Sequence, residues 1–242
     1  MIIEGINQFS YNGKRSYDDM GLIITEPPAF SSPERDITFT SVSGRSGDIV
    51  TDNKRFKNAE GKYKVAAATD TFSPEQTARK IKRWLQGEAG YFVLSDTYDP
   101  NYFRYACYSG QLDIENKLRL LGKATLKFNC KPFRYRIDGR QEIHITEPGK
   151  IYNPEDWESA PYIKIVGSGN ITLSINNDTF AFLNVDGYIE LDSEMHMAYK
   201  GTELQNDKVT FTTPPAFLPG MNNLSFIGAV DEIIIIPRWC CL

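Results

Sequence analysis

The chain has 242 residues, is 41% hydrophobic and 12% aromatic, and carries a net charge of −4. That length suits one large domain or two modest ones with buried cores. The acidic balance argues against nucleic-acid binding by the whole chain, which depends on neutralising phosphates. No apolar run approaches the ~20 residues that a membrane span requires. The start, MIIEGINQF, has no basic segment followed by a long apolar one, so neither a signal peptide nor a membrane anchor is expected. The four cysteines, Cys107, Cys130, Cys240 and Cys241, contain no CxxC pair, and there are only two histidines. A metal centre, a cofactor or a disulfide framework is therefore not expected, and the chain reads as a reduced protein made in the cytoplasm.

Alternation around Phe9 and Tyr11 predicts a strand that turns at Asn12-Gly13, a dipeptide that accepts positive φ. A second short strand at 22–24 stops before Pro27-Pro28. Ile37 and Phe39 share one face of a third. The stretch VSGRSGDIV, 42–50, then places two glycines around Arg45 and Ser46, with Asp48 after them. A polar tip between two extended runs predicts a hairpin. Residues 58–61 read as a turn, and Tyr63, Val65 and Ala67 as the next strand. Ser73-Pro74-Glu75-Gln76 carries an N-cap, a first-position proline and a capping-box glutamine, so a helix is predicted over about 73–86. Ala78, Ile81 and Leu85 form its apolar stripe, and Gly87 ends it. Arg79, Lys80, Lys82 and Arg83, with Trp84 beside them, read first as a solvated or protein-facing surface; no nucleic-acid motif accompanies them.

Strands follow at 91–94, around Tyr102 to Tyr105, and at Leu112 and Ile114, with a hairpin tip at Asn116-Lys117. Over 124–131 alternation is strict: Ala124, Leu126, Phe128 and Cys130 face inward, and Pro132 is expected to end the ladder. The stretch 127–137, KFNCKPFRYRI, is also where the charge changes sign, from 21 basic against 16 acidic residues up to Ile137 to 6 against 15 beyond it. It reads as the last strand of one domain, 1–137, running into the seam with a second, 138–242, and Phe133, Tyr135 and Ile137 are expected to pack at that seam. After it, short strands recur around Ile143, over 162–166 and 171–175, at Phe180 and Phe182, and over 188–191, 224–227 and 231–236. Turn-like residues separate them, notably 167–170 and Asp186-Gly187. Seven or more short strands without a helical pattern predict a β-sandwich or jelly roll.

Catalytic patterns are scarce. Gly44-Arg45-Ser46-Gly47 lacks the Gly-Lys-Ser/Thr ending of a phosphate loop, and no GxSxG is present. His144 and His196 have no partner at ligand spacing. Asp96/Asp99, Asp113/Glu115 and Glu190/Asp192/Glu194 are carboxylate clusters of the kind glycosidases use, but they sit in a turn or on outward faces of strands. No enzymatic activity is expected.

Several segments in order resemble the distal tail protein (Dit) family of long-tailed bacteriophages. They are FSYNGKRSYDDMG at 9–21, VSGRSGDI at 42–49, the Ser-Pro-Glu helix with its Trp-Leu, and FNCKPFRY at 128–135. Downstream come Ser159-Ala160-Pro161 with Ile163-Lys164-Ile165, IELDSE at 189–194, Pro219-Gly220-Met221-Asn222 and the ending Pro237-Arg238-Trp239. Cys240-Cys241 departs from the basic residue expected after that ending. The resemblance implies a mainly β protein with one helix: an N-terminal β-barrel or sandwich that forms a ring, and an outward galectin-like sandwich. It implies a virion protein of the tail tip or baseplate. Six copies would close around a channel, bounded by the major tail tube protein and the tail-associated lysin or hub protein. In some relatives receptor-binding proteins attach as well. The 42–50 hairpin is the expected lever toward a neighbouring copy, with Arg45, Ser46 and Asp48 at the ring interface. An alternative is a carbohydrate-binding module in which the second domain recognises host cell-wall glycan; galectin-like folds bind sugar on a polar face with a stacked Trp, but Trp157 lies in the entry segment and Trp239 at the end, neither of them mid-strand.

Overall fold

A computed structural model describes residues 5–67, 74–110, 123–211 and 213–242. The chain is mainly β with one α-helix. Its contacts divide it into two units, Met1–Arg134 together with Leu242, and Tyr135–Cys241.

The first unit contains β1 (Phe9–Tyr11), β2 (Lys14–Arg15), β3 (Leu22–Ile24), β4 (Ala29–Phe30), β5 (Arg35–Thr40), β6 (Ile49–Phe56) and β7 (Ala59–Ala67). Then come α1 (Pro74–Gln86), β8 (Phe92–Asp96), β9 (Tyr102–Tyr108) and β10 (Lys123–Arg136), which runs across the boundary. One sheet has the order β2-β1-β8-β9-β10-β7-β3, with β4 also on β7. Asn12 and Gly13 both adopt positive φ, as the first hairpin requires. β7 and β10 pair antiparallel from Lys123 opposite Ala66 to Cys130 opposite Ala59, and Ala124, Leu126, Phe128 and Cys130 all point into the core. The ladder to β7 stops at Cys130, yet β10 stays extended to Arg136. Pro132 removes a donor without disturbing an extended φ, so it ends that pairing and not the strand.

The helix lies where its stripe demands. Ala78, Ile81 and Leu85 are buried, and so is Trp84. The Trp84 ring stacks on Phe9 at 5.5 Å, and its indole N–H donates to the Tyr11 carbonyl at 2.8 Å. Trp84 thus belongs to the core, not to the basic surface beside it. Ile81 and Leu85 each contribute about 1.5–3 kcal/mol relative to exposure. Ser73, the expected N-cap, and the strand and tip expected at 112–117 lie outside the described residues. The turn expected at 58–61 is absent: β7 begins at Ala59. Gly61 sits within that strand because a Cβ there would lie 2.7 Å from the Phe30 ring; close packing, not a turn, calls for glycine.

The second unit contains β11 (Ile143–Ile145), β12 (Gly149–Asn153), β13 (Tyr162–Ile175), β14 (Asp178–Asp192), β15 (Met197–Lys200), β16 (Glu203–Leu204), β17 (Val209–Thr210) and β18 (Gly220–Ile236). Their order is β11-β18-β13-β14-β15-β16, with β12 also on β18 and β17 also on β14. Three strands are therefore long, where short ones were expected. The residues read as turns at 167–170 are a break in register inside β13, and 186–187 lie inside β14. Gly167 is required there because a Cβ would lie 2.2 Å from the Ala229 carbonyl on β18. A glycine that admits a crossing backbone has the same local signature as one that turns the chain. The two halves of the long strands pair differently. β12 takes the first half of β18 and β11 its end. Yet Ile163, Ile165, Leu173, Phe182, Leu191, Leu224 and Ile235, from both halves, share one core.

Candidate functional site

The most unusual element of the first unit is the β5–β6 hairpin. Its strands pair only with each other among the described residues, from Arg35 opposite Phe56 to Thr40 opposite Ile49. Almost every residue on it is exposed. The sequence explains this. β6 reads IVTDNKRF, with Thr51 to Arg55 polar without interruption, so no inner face exists to bury. The root is held by aromatic contacts: the Arg35 guanidinium lies 5.5 Å from the Phe56 ring, and Phe56 meets Phe133 edge-on at 5.9 Å. Cross-strand ion pairs brace the arm, Arg35 to Asp52 at 2.5 Å and Arg55 to Asp36 at 2.6 Å. The Arg55 hydrogen bond holds the Asp36 carboxyl below its ordinary range, and the Arg35 hydrogen bond does the same for Asp52.

An isolated two-stranded ribbon is marginal in water, and both its outer edges carry unpaired backbone groups. This one also exposes apolar side chains. Phe39 is 62% exposed and Val50, directly opposite it, 58%. Ile37 and Val42 are exposed nearby. Exposed apolar groups gathered in this way are of the kind found where proteins dock. At the tip, Gly44 and Gly47 take positive φ and the Arg45 amide donates to the Val42 carbonyl at 3.1 Å. Arg45, Ser46 and Asp48 are exposed together there. Phe39 and Val50, missed by reading Ile37 and Phe39 as an ordinary strand face, are the larger apolar feature. The polar run of β6 was the signal available.

A hollow of about 200 Å³ opens in the same unit, lined by Pro27, Pro28, Phe30, Tyr98, Tyr102, Arg104 and Arg134 among others. The Arg104 guanidinium lies 4.5 Å from the Phe30 ring, and Arg134 4.5 Å from the Tyr102 ring. Asp99 accepts from Arg134 at 3.0 Å. Asp96 accepts from the Tyr63 hydroxyl at 2.6 Å and from the Tyr98 and Asp99 amides. Burial, then the Asp96 charge, pushes the Tyr63 hydroxyl well above its ordinary pKa. Both carboxylates of the Asp96/Asp99 cluster thus serve the local structure.

The seam residues are placed as follows. Phe133 packs on Phe56 in the first unit, Tyr135 is buried, and Ile137 is 47% exposed. The Arg136 amide donates to the Trp239 carbonyl at 2.9 Å, and its guanidinium pairs with Asp138 and Glu155.

The other carboxylates of the second unit are similarly engaged. Glu190 accepts from the Tyr162 hydroxyl at 2.5 Å. Asp192, almost wholly buried, is held by Arg238 through two bonds of 2.8 and 2.7 Å, and Arg238 also lies 3.7 Å from Glu194. Exposed His144 places its Nδ1 2.8 Å from half-buried Glu232. Among the described residues, Glu155, Asp156 and Cys241 offer three ligand atoms within 4.8 Å of one another, but Glu155 already pairs with Arg136. Asp113 and Glu115 lie outside the described residues. Trp239 is buried against Phe217 at 5.7 Å and is not available as a sugar-stacking platform. No helix among the described residues is long and apolar enough to cross a membrane.

No protein-family model and no curated protein matches the sequence. The structure does have a match. It superposes on the crystal structure of the SPP1 Dit (gp 19.1) protein, a paradigm of the hub adsorption apparatus in phages that infect Gram-positive bacteria. The TM-score is 0.68, at 14% identity, over 95% of this chain and 97% of that one. The chain has the Dit fold. The resemblance read from the sequence segments is thus matched in three dimensions, and the mainly β architecture with one helix is that of SPP1 Dit.

The structure also shows what those segments do in this chain. In the opening one, buried Ser16 accepts from the Phe9 amide at 3.1 Å and donates to the Leu22 carbonyl at 3.0 Å. In the second unit, the Asp192–Arg238 pair ties IELDSE to Pro237-Arg238-Trp239, and Ser159 exchanges backbone bonds with Phe217 at 3.0 Å. The Ser193 amide donates to the Pro161 carbonyl at 3.0 Å. These recognisable residues are joints of the Dit fold.

Proposed function

We propose that this chain is a structural protein of the tail tip of a long-tailed phage, a Dit-family hub without catalytic activity. The observation that carries this reading is the likeness to SPP1 Dit along 95% of the chain. In this reading the N-terminal domain, 1–137, assembles as a homo-hexameric ring around a central channel, and the galectin-like C-terminal domain, 138–242, faces outward. One ring face meets the major tail tube protein. The other meets the tail-associated lysin or hub protein, and receptor-binding proteins attach to the outside. The protein is made in the bacterial cytoplasm and resides in the virion.

The exposed arm supports the ring part of this reading. A closed ring needs heterologous contacts, one patch against a different patch on the next copy. A braced hairpin carrying unburied Phe39 and Val50 provides one such patch, and Arg45, Ser46 and Asp48 at its tip offer charged and hydroxyl groups to the neighbour. The engagement of Asp96, Asp99, Glu190 and Asp192 by neighbouring groups supports a structural role. Negative-stain imaging of the purified protein tests the reading: rings with a central hole are expected, and separate single copies at every concentration refute it.

A further inference from the structure

The ring reading leaves one patch without its complement. We propose that the aromatic hollow between Pro27-Pro28 and Tyr98-Tyr102 is the acceptor for Phe39 and Val50 of the arm of a second copy of this chain. The inference rests on the ring reading and adds the site at which neighbours lock together.

Four observations converge on this pairing. The hollow, about 200 Å³, falls below the ~300 Å³ where small-molecule pockets begin; it suits a side chain rather than a metabolite. Its charges are committed internally, since Asp96 takes three hydrogen bonds and Asp99 pairs with Arg134. An uncharged guest is therefore favoured over an ionic one. The walls offer aromatic rings and two guanidiniums lying over such rings, surroundings that favour another aromatic ring through edge and cation–π contacts. The most exposed aromatic group of the arm is Phe39, with Val50 beside it on the same face.

Geometry excludes the chain's own arm. Phe39 is 62% exposed, so it does not occupy its own hollow. Phe30, in the wall, precedes the arm root at Arg35 by only five residues. At ~3.3 Å per residue, Phe39 stands ~13 Å out along a strand that ion pairs keep paired with its partner. An arm leaving one hollow therefore reaches the hollow of the next copy, the head-to-tail relation that a ring repeats.

The test places the photo-crosslinking residue p-benzoylphenylalanine at position 39 of the full chain and irradiates the assembled protein. Links between copies are expected, mapping to peptides that contain 27–30 or 98–104. If rings form but the links map elsewhere, this inference is overturned and the ring reading stands. If neither rings nor links between copies appear, both fall. A second measurement guards against perturbation by the probe. Phe39→Ser and Tyr98→Ala are each expected to weaken association about 10–100-fold in sedimentation, and the double variant to be little worse than either single one. Fully additive losses would place the two residues in separate contacts.

Discussion

Replacing Arg238 with methionine, a side chain of similar reach, removes a half-buried guanidinium and leaves its buried partner behind. In the native chain Asp192 is 5% exposed and receives two bonds from Arg238, plus one from the Met195 amide at 3.1 Å. Burial alone would raise the Asp192 carboxyl, but the Arg238 hydrogen bonds and charge outweigh it and hold the group below its ordinary range. Breaking a fully buried pair from one side costs about 3–5 kcal/mol. Arg238 retains 25% of its side-chain exposure, so the expected loss is about 2–3 kcal/mol. The backbone makes the case sharper. Arg238 sits at φ 57°, a conformation that costs a side-chain-bearing residue about 1–2 kcal/mol. Arg238→Gly should therefore lose less stability than Arg238→Met, because it sheds that strain while losing the same pair. The pH dependence has a definite sign. A carboxyl depressed on folding stabilises above its unfolded pKa of about 3.9 and loses that contribution as pH falls through the lower folded value. Without Arg238, burial raises Asp192 in the variant, so the gap between wild type and Arg238→Met should be full at pH 7, begin to shrink above the unfolded value and go on shrinking as pH falls through the lower wild-type value. Urea unfolding followed by tryptophan fluorescence measures this. A loss under about 0.5 kcal/mol at pH 7, or a gap that widens in acid, would refute the reasoning.

Other consequences follow from single contacts. Gly167→Ala places a Cβ 2.2 Å from the Ala229 carbonyl and should cost about 2–3 kcal/mol, lowering the melting temperature. Trp84→Phe leaves the Tyr11 carbonyl without its 2.8 Å donor; a loss of about 1–3 kcal/mol is expected in urea titrations. Arg45→Glu, at the exposed arm tip, should weaken association in sedimentation while shifting the unfolding midpoint by no more than about 0.5 kcal/mol.

Local signals carried well where one face of an element is buried. The β10 alternation named Ala124, Leu126, Phe128 and Cys130, all of them in the core. Helix α1 begins at the proline of the Ser-Pro-Glu signal, and its stripe at Ala78, Ile81 and Leu85 packs as expected. Local reading failed where the cause lies far along the chain. Gly167 reads as a turn because the Ala229 carbonyl that requires it is on another strand. Asp192 reads as an outward carboxylate because Arg238 stands 46 residues away. Pro132 interrupts one pairing without breaking its strand. The arm was legible as a hairpin but not as a free-standing one, since alternation of Ile37 and Phe39 looks the same whether its partner is a core or another molecule. The polar run from Thr51 to Arg55 was the clue that no intramolecular core awaited it.

The central claim is a ring built from copies of this chain. Native mass spectrometry across a range of protein concentrations tests it most directly. A six-copy species is predicted, populated more as concentration rises and depleted in Phe39→Ser. A single-copy mass at every concentration, with wild type and Phe39→Ser indistinguishable, would contradict it.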